Sequence, residues 1–187
     1  MILLDTVSFG YDGRETLSDL TAEITPASFH FLTAPSGAGK KTLMKLRYLD
    51  RLPTRGRYKL FGDDPSELGP NEIARLRRRI GIVFQDFRLL EHLDVLKNIA
   101  LPLEIMGYSK AEQAERIARV LDLVELSHFG KKYPWQLSGG MQQRASIARA
   151  LAFDADILLM DEPFGALDEI VRDHLSEQLL DLWARTE

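Results

Sequence analysis

One stretch constrains the fold of this 187-residue chain more than any other, and it reads Ala34-Pro35-Ser36-Gly37-Ala38-Gly39-Lys40-Lys41-Thr42. An apolar run from Phe29 to Thr33 precedes it and predicts a buried strand, and the run from Leu43 to Leu46 that follows predicts a helix. A strand, a glycine-rich turn and a lysine at a helix start together form the arrangement of a phosphate-binding loop. The stretch therefore predicts an anion site inside an α/β fold.

The residue types in this loop suit a phosphate group. Gly37 and Gly39 have no Cβ, so the backbone can come close to an oxyanion. Successive N–H groups from Ser36 through Ala38 and the positive end of the following helix then hold phosphate oxygens. Lys40 adds a positive charge for the β- and γ-phosphates. The alternative interpretation is a turn that merely links a strand to a helix.

Two positions depart from the pattern Gly-x-x-x-x-Gly-Lys-Ser/Thr that such loops follow. Ala34 replaces the first glycine, which is harmless if the backbone angle φ there is negative. Lys41 replaces the residue whose hydroxyl ligates Mg²⁺, and an ammonium group repels a cation. Thr42 has a hydroxyl, but a rotation of about 100° per helical residue points it elsewhere. Both departures weaken the prediction of magnesium-dependent catalysis.

Composition narrows the classes of function. The chain is 45% hydrophobic, has a net charge of −4 and contains no cysteine. A general attraction to nucleic acid is not expected at this charge, and the basic run from Arg75 to Arg79 has no interleaved aromatic residues, so it is interpreted as a solvated helix end. No apolar run is long enough to span a bilayer. We expect a cytoplasmic protein that reaches a membrane only through a partner.

The order of predicted elements indicates an α/β core with a helical insertion. Runs at Met1–Phe9 and Leu17–Ile24 alternate between apolar and polar residues and predict antiparallel strands, and Arg57–Phe61 and Ile80–Phe84 predict two further strands. From Asp86 to Leu137 the spacing is helical, with no strand signal. This stretch is predicted to form a subdomain of its own.

Two later segments add candidate chemistry. Ser138 is a good N-cap, and Gly139 and Gly140 leave the first N–H groups of the next helix uncovered. This segment is therefore a candidate second anion site; the alternative is that Ser138–Gly140 only caps the helix. Asp161 and Glu162 then follow an apolar strand. Acids at the carboxyl end of a buried strand lie where ligands bind in open α/β sheets. Asp161 suits Mg²⁺ and Glu162 suits a base that polarises water; the alternative is a solvated acidic pair.

Taken in order, these segments resemble the ATP-binding-cassette (ABC) ATPases over nearly the whole chain. The matching segments are the aromatic Tyr11, the phosphate loop Ala34–Thr42, the Q-loop residue Gln85, the signature Leu137–Arg144, the Walker B segment Ile157–Glu162 and the D-loop Ala166–Asp168. The signature followed by an apolar strand ending in Asp-Glu-Pro is a highly specific combination.

The resemblance implies a P-loop NTPase core with a mostly parallel sheet, an antiparallel N-terminal β part and an inserted all-helical subdomain. It divides the chain into core residues 1–85, helical residues 86–137 and core residues 138–187. The sequence ends at Glu187, before the strand that carries the switch histidine in the family, so the C-terminal strands and this histidine are expected to be missing from this chain.

The resemblance also implies the roles of the site residues. Tyr11 stacks on adenine, while the phosphate loop, with Lys41 and Thr42 at its end, binds the phosphates of ATP. Gln85 senses the γ-phosphate and, with Asp161, holds Mg²⁺, and Glu162 activates water. Two chains pair head to tail, as a homodimer or with a related subunit, so that Ser138, Gly139 and Gly140 of one chain complete the site of the other.

The helical subdomain is implied to dock on an integral membrane, permease-like partner at the inner face of the cell membrane. Residues from Phe29 to Gly107 resemble the cell-division ABC ATPases, whereas residues from Gln136 to Thr186 resemble importers of nitrate, sulfonate or taurine. Two other functions stay open. One is a nucleotide-binding module without turnover, because of Lys41 and the expected absence of the switch histidine. The other is a soluble ABC protein acting on DNA or ribosomes.

Overall fold

The computed structural model describes residues 2–12, 14–35, 37–167 and 169–184. Two residues with predicted roles, Ser36 in the phosphate loop and Asp168 in the D-loop, lie outside this described part. The chain forms two compact units, one built from residues up to Arg77 and the other from Arg78 onward.

The first unit is built around a three-stranded antiparallel sheet. Its strands are β1 (Ile2–Tyr11), β2 (Arg14–Ile24) and β3 (Arg55–Leu60), in the order β2-β1-β3. Ile2 pairs with Ile24 on one side and with Leu60 on the other. Ile2 and Leu4 of β1 and Tyr58 and Leu60 of β3 are at most 2% exposed, because alternate side chains of a strand point to the same face. The predicted antiparallel N-terminal part is confirmed.

Two helices complete this unit. Helix α1 (Lys40–Arg47) begins directly at the phosphate loop and buries Leu43, Met44 and Leu46. Helix α2 (Pro70–Arg77) follows a short 3₁₀ turn at Pro65–Glu67. Both helices are predicted by their spacing, with end points that differ by a few residues.

The strand predicted from Phe29 to Thr33 is wrong for this structure. Residues 28–35 have no helical or strand conformation, and the Phe31 side chain is 83% exposed. An apolar run forms a stable strand only where a neighbouring strand satisfies its N–H and C=O groups and covers its side chains. The apolar residues from Phe29 to Thr33 do not by themselves show whether a neighbouring strand is present.

The described residues of the second unit form a parallel strand pair and four α-helices. Strands β4 (Ile80–Val83) and β5 (Ile157–Met160) pair in register from Ile80 with Ile157 to Val83 with Met160. The helices are α3 (Val95–Ile105), α4 (Lys110–Leu123), α5 (Gly139–Leu151) and α6 (Glu169–Ala184), with 3₁₀ turns at Ser127–Phe129 and Pro134–Gln136. Residues 86–137 contain helices and no strand, as the sequence predicts.

Helix α5 packs on α3, α4 and β4 and lies at the centre of this unit. Ile99 and Leu103 of α3, Val120 of α4 and Ile147 of α5 are at most 2% exposed and belong to one apolar cluster. Local signals fix where the helices begin, since Ser109 and Glu112 form a reciprocal capping box at the start of α4. The α/β class with both antiparallel and parallel strands is confirmed.

Asn98 is a fully buried polar residue on α3 that organises the preceding loop. Its Oδ1 accepts from the N–H of Leu90 at 2.8 Å, and its Nδ2 donates to the carbonyls of Leu90, Leu93 and Asp94 at 3.0–3.1 Å. One amide therefore satisfies four backbone groups. Buried polar groups left without a partner cost about 1–3 kcal/mol each.

We expect Asn98→Ala to lower the free energy of unfolding by about 2–4 kcal/mol, because the Leu90 N–H and the Leu93 carbonyl lose the partner that Asn98 provides. Urea denaturation followed by circular dichroism measures this change. Asn71→Ala, on the exposed surface of α2, is the matched control and should change the value by about 0.5 kcal/mol or less. Equal effects of the two substitutions would contradict the structural role of Asn98.

Candidate active site

The phosphate loop depends on two glycines in the left-handed region of backbone space. Gly37 has φ 82° and Gly39 has φ 86°, and Gly39 is the N-cap of α1. A Cβ at Gly39 would lie 2.8 Å from Leu17 Cδ2 and 3.1 Å from the carbonyl oxygen of Thr16, whereas a Cβ at Gly37 would meet nothing within 4 Å. The loop is thus held close to β2 at Gly39 and open to solvent at Gly37.

Lys40 folds back over its own loop. Its Nζ donates to the carbonyl oxygen of Ala34 at 2.7 Å, and the N–H of Ala38 donates to the carbonyl of Pro35 at 3.3 Å. The lysine charge therefore lies on the same short loop as the glycines. An ammonium held in this way is positioned to exchange a neutral carbonyl for a phosphate oxygen, which forms the stronger, charge-assisted hydrogen bond.

The two departures from the loop pattern have different consequences. Ala34 is not among the residues with positive φ in the described part of the chain, so the loss of the first glycine costs no backbone strain. Lys41 is exposed, whereas Thr42 is 7% exposed and faces the interior of its unit. Thr42 therefore lies on the buried side of α1, whereas Lys41 lies on its exposed side.

Tyr11 lies at the end of β1 with its ring 38% exposed. The ring packs edge-on against Phe9 at 5.0 Å between centroids, and Lys45 Nζ lies 5.9 Å from the ring centroid. One side of the aromatic ring is thus supported while part of it stays open to solvent. This arrangement leaves room for a stacking partner.

The parallel pairing of β4 and β5 brings two distant segments to one edge. Both strands end there, with Val83 opposite Met160, and the N–H of Asp161 continues the pairing by donating to the carbonyl of Val83 at 2.9 Å. Beyond this point, Gln85 Nε2 donates to Glu162 Oε2 at 2.9 Å. The structure therefore brings together Gln85 and Glu162, two of the predicted site residues.

Glu162 has φ 48°, a left-handed conformation that is uncommon for a residue with a side chain. Such strain costs about 1–2 kcal/mol and persists only where the surrounding structure holds it. The hydrogen bond from Gln85 contributes to holding it. The sequence gives no sign of this contact, because the two residues lie 77 positions apart.

The predicted second anion site lies at the start of α5. Ser138 is the N-cap, and its Oγ accepts from the N–H of Met141 at 3.3 Å. A Cβ at Gly139 would meet nothing within 4 Å, whereas one at Gly140 would lie 3.3 Å from the carbonyl oxygen of Ala166. Gly139 is therefore open to solvent, and Gly140 lets the D-loop of the same chain pack closely.

Comparison with known proteins identifies the family. Residues 17–165 match the family model described as ABC transporter. The chain belongs to the ABC transporter family. It is thus an ABC-type ATPase by family, as the sequence predicts.

Relatives from both branches predicted by the sequence are found. The cell division ATP-binding protein FtsE of Bacillus subtilis is 42% identical over 84% of this chain and 69% of its own length. The taurine import ATP-binding protein TauB of Pseudomonas putida is 40% identical over 100% of this chain and 69% of its own length. The sulfate/thiosulfate import ATP-binding protein CysA of Gloeobacter violaceus is 43% identical, and the match spans 49% of that protein.

Solved structures agree with this family. The dimeric structure of MJ0796, a bacterial ABC transporter cassette, matches with a TM-score of 0.91 and 34% identity over 100% of this chain and 84% of that chain. A post-hydrolysis structure of the same cassette, bound to ADP and Pi, matches with a TM-score of 0.91 and 33% identity. The ABC-cassette fold is therefore confirmed.

The glycine geometry generates a prediction for the loop. Gly39→Ala and Gly37→Ala both place a side chain in the left-handed region, which costs about 1 kcal/mol. Gly39→Ala adds a clash with β2, so we expect it to lower the melting temperature by roughly twice as much as Gly37→Ala, whose own effect is about 2–4 °C. Differential scanning fluorimetry measures both. Equal shifts would show that the loop does not pack on Leu17 as described.

Proposed function

We propose that this chain is the ATP-binding and ATP-hydrolysing subunit of an ABC complex, in which ATP-driven pairing is coupled to a membrane partner. The hydrogen bond of 2.9 Å between Gln85 and Glu162 is the observation that supports turnover most directly. It places the residue proposed to sense the γ-phosphate against the residue proposed to activate water. Both follow parallel strands at the edge where open α/β sheets bind ligands.

Lys40 and the loop from Ser36 to Thr42 are proposed to bind the phosphates. The left-handed glycines, the start of α1 and the lysine charge support this role. Tyr11 is proposed as the stacking surface for adenine. Glu162 then acts as the base that polarises the attacking water.

The residues around β4 and β5 fit a magnesium ion. Mg²⁺ typically takes one or two carboxylates together with phosphate oxygens and water. Asp161 offers a half-buried carboxylate, and the Gln85–Glu162 contact uses the nitrogen of the Gln85 amide, so that its oxygen, the ligating atom, faces no competition from that contact. Bound Mg²⁺ would neutralise charge on the phosphates.

Head-to-tail pairing is proposed to complete each site. Ser138, Gly139 and Gly140 would meet the γ-phosphate bound by the partner chain. The open space beside Gly139 and the serine cap at the start of α5 support this role. The dimeric form of the similar cassette is in line with such pairing.

A membrane partner is proposed to dock on residues 86–137, with the chain at the inner face of the membrane. Ile105 is 59% and Trp135 is 69% exposed in this segment, and the Trp135 ring stacks on Tyr133 at 6.1 Å. The names of the relatives, which refer to import and to cell division, support a complex of this type. No helix in the described part of the chain is long and apolar enough to cross a bilayer.

A nucleotide-binding module without turnover is the second candidate, and Lys41 favours it. Its exposed ammonium stands where a magnesium-ligating hydroxyl is expected. Coulomb repulsion between this group and Mg²⁺ would oppose metal binding while leaving Lys40 and the backbone free to hold the phosphates.

Glu162→Gln tests the proposed base. We expect phosphate release to fall by about 10²–10⁴-fold because an amide cannot accept the proton of water, while binding of a fluorescent ATP analogue is retained. Glu115→Gln, on the exposed surface of α4, is the matched control and should leave both quantities unchanged. Undiminished hydrolysis in Glu162→Gln would remove Glu162 from this role.

Lys41→Ser separates the two candidates. If Lys41 weakens magnesium binding, we expect magnesium-dependent phosphate release to rise about tenfold or more, equivalent to about 1.4 kcal/mol in the barrier. Lys131→Ser removes an exposed lysine elsewhere and controls for the change in net charge. Equal turnover in the parent and Lys41→Ser would exclude Lys41 as the cause of any deficit.

A further inference from the structure

We propose that Arg149 is a positioning residue, which fixes the backbone after Gln85 so that the Gln85 amide stays on the Glu162 carboxylate. The importance of that contact for turnover rests on the proposed function. The clamp itself is a physical arrangement that can be measured without ATP hydrolysis. Arg149 lies in the last turns of α5, in the same compact unit as Gln85 and Glu162.

The guanidinium of Arg149 binds two consecutive carbonyls. Its Nη1 donates to the carbonyl oxygen of Arg88 at 2.6 Å, and its Nη2 donates to that of Phe87 at 2.8 Å. Hydrogen bonds from a charged donor are stronger than neutral ones, and the planar fork fixes both distance and direction. Arg149 is partly buried, and this burial lowers the pKa of its guanidinium.

The segment that Arg149 holds is strained. Phe87 has φ 59° and Arg88 has φ 49°, so two consecutive residues with side chains adopt the left-handed region. Single residues visit this region, whereas neighbouring pairs are unusual and need outside support. Local contacts help, since the N–H of Phe87 donates to the carbonyl of Phe84 at 3.1 Å and the Arg88 guanidinium lies 4.0 Å from the Phe84 ring centroid. Arg149 adds the contact from a different element.

Gln85 depends on this turn because its backbone leads directly into it. The residue is exposed and lies between the end of β4 and Phe87. The direction of an exposed side chain depends strongly on the conformation of its backbone. If the turn relaxes, the Gln85 amide loses its fixed distance to Glu162.

The clamp also links the two ends of α5. The same helix begins at Ser138, the proposed contact to the partner's nucleotide, and reaches Arg149 eleven residues later, about 16 Å along the axis. A displacement of this rigid element would therefore act on the turn that positions the chain's own Gln85.

Nuclear magnetic resonance of the full ¹⁵N-labelled chain tests the clamp. The side-chain NH₂ resonances of Gln85 are assigned by their loss in Gln85→Ala. In Arg149→Met, which keeps an apolar stem and removes the fork, we expect these resonances to move to the position of a free amide. Amide hydrogen exchange in residues 86–90 should accelerate about ten- to a hundredfold.

Two further variants control for general destabilisation. Arg116→Met is the matched control, because Arg116 is also partly buried and donates to a backbone carbonyl, that of Ala152, and to Asp154. It should leave the Gln85 resonances and exchange in residues 86–90 unchanged. Arg149→Lys keeps the charge but cannot span both carbonyls in one plane. The Gln85 side-chain resonances of this variant should therefore lie between those of the parent and those of Arg149→Met.

The outcomes are distinct. Unchanged Gln85 resonances in Arg149→Met, or an equal change in Arg116→Met, would overturn the positioning role. In an active parent, a lower kcat with an unchanged dissociation constant for the ATP analogue supports it, and an unchanged kcat overturns it. If the parent releases no phosphate, the proposed turnover fails, while the resonance shift in Arg149→Met still supports the clamp.

Discussion

The parallel pairing of β4 with β5 is the constraint on which the second unit depends. These short strands lie 77 positions apart, and their hydrogen bonds fix the register from Ile80–Ile157 to Val83–Met160. Because the register is fixed, the residues after both strands must leave at the same edge. The contact between Gln85 and Glu162 follows directly from this geometry. Shifting the register by one residue would separate the two side chains and reverse the buried faces.

Helix α5 extends this arrangement from the strands to the helical part. It packs on α3, α4 and β4. Polar side chains form hydrogen bonds near both of its ends, with the Ser138 cap at its start and the Arg149 guanidinium near its end. Bending a buried helix of this kind costs free energy, because the side chains around it are packed about as densely as molecules in an organic crystal. Helix α5 is therefore suited to move as one rigid body, so that a displacement at Ser138 also displaces Arg149.

Much of the fold and of the candidate site could be predicted from local signals. The glycine turn before Lys40, the serine cap at Ser138 and the acids after β5 each depend on a few neighbouring residues, and the structure places them at helix starts and a strand end. The strand expected from Phe29 to Thr33 was the failure. Whether an apolar run forms a strand depends on a neighbour that its own residues do not specify.

The sequence by itself determined the order of the motifs, the glycine-rich loop before Lys40 and the family, because these depend on residue type and spacing. Only the tertiary structure decided that the Gln85 amide meets Glu162 and that Arg149 binds the carbonyls of Phe87 and Arg88. The physical reason is distance along the chain. Contacts between residues 61 to 77 positions apart require strand register and helix packing to be fixed first, and no local pattern encodes either.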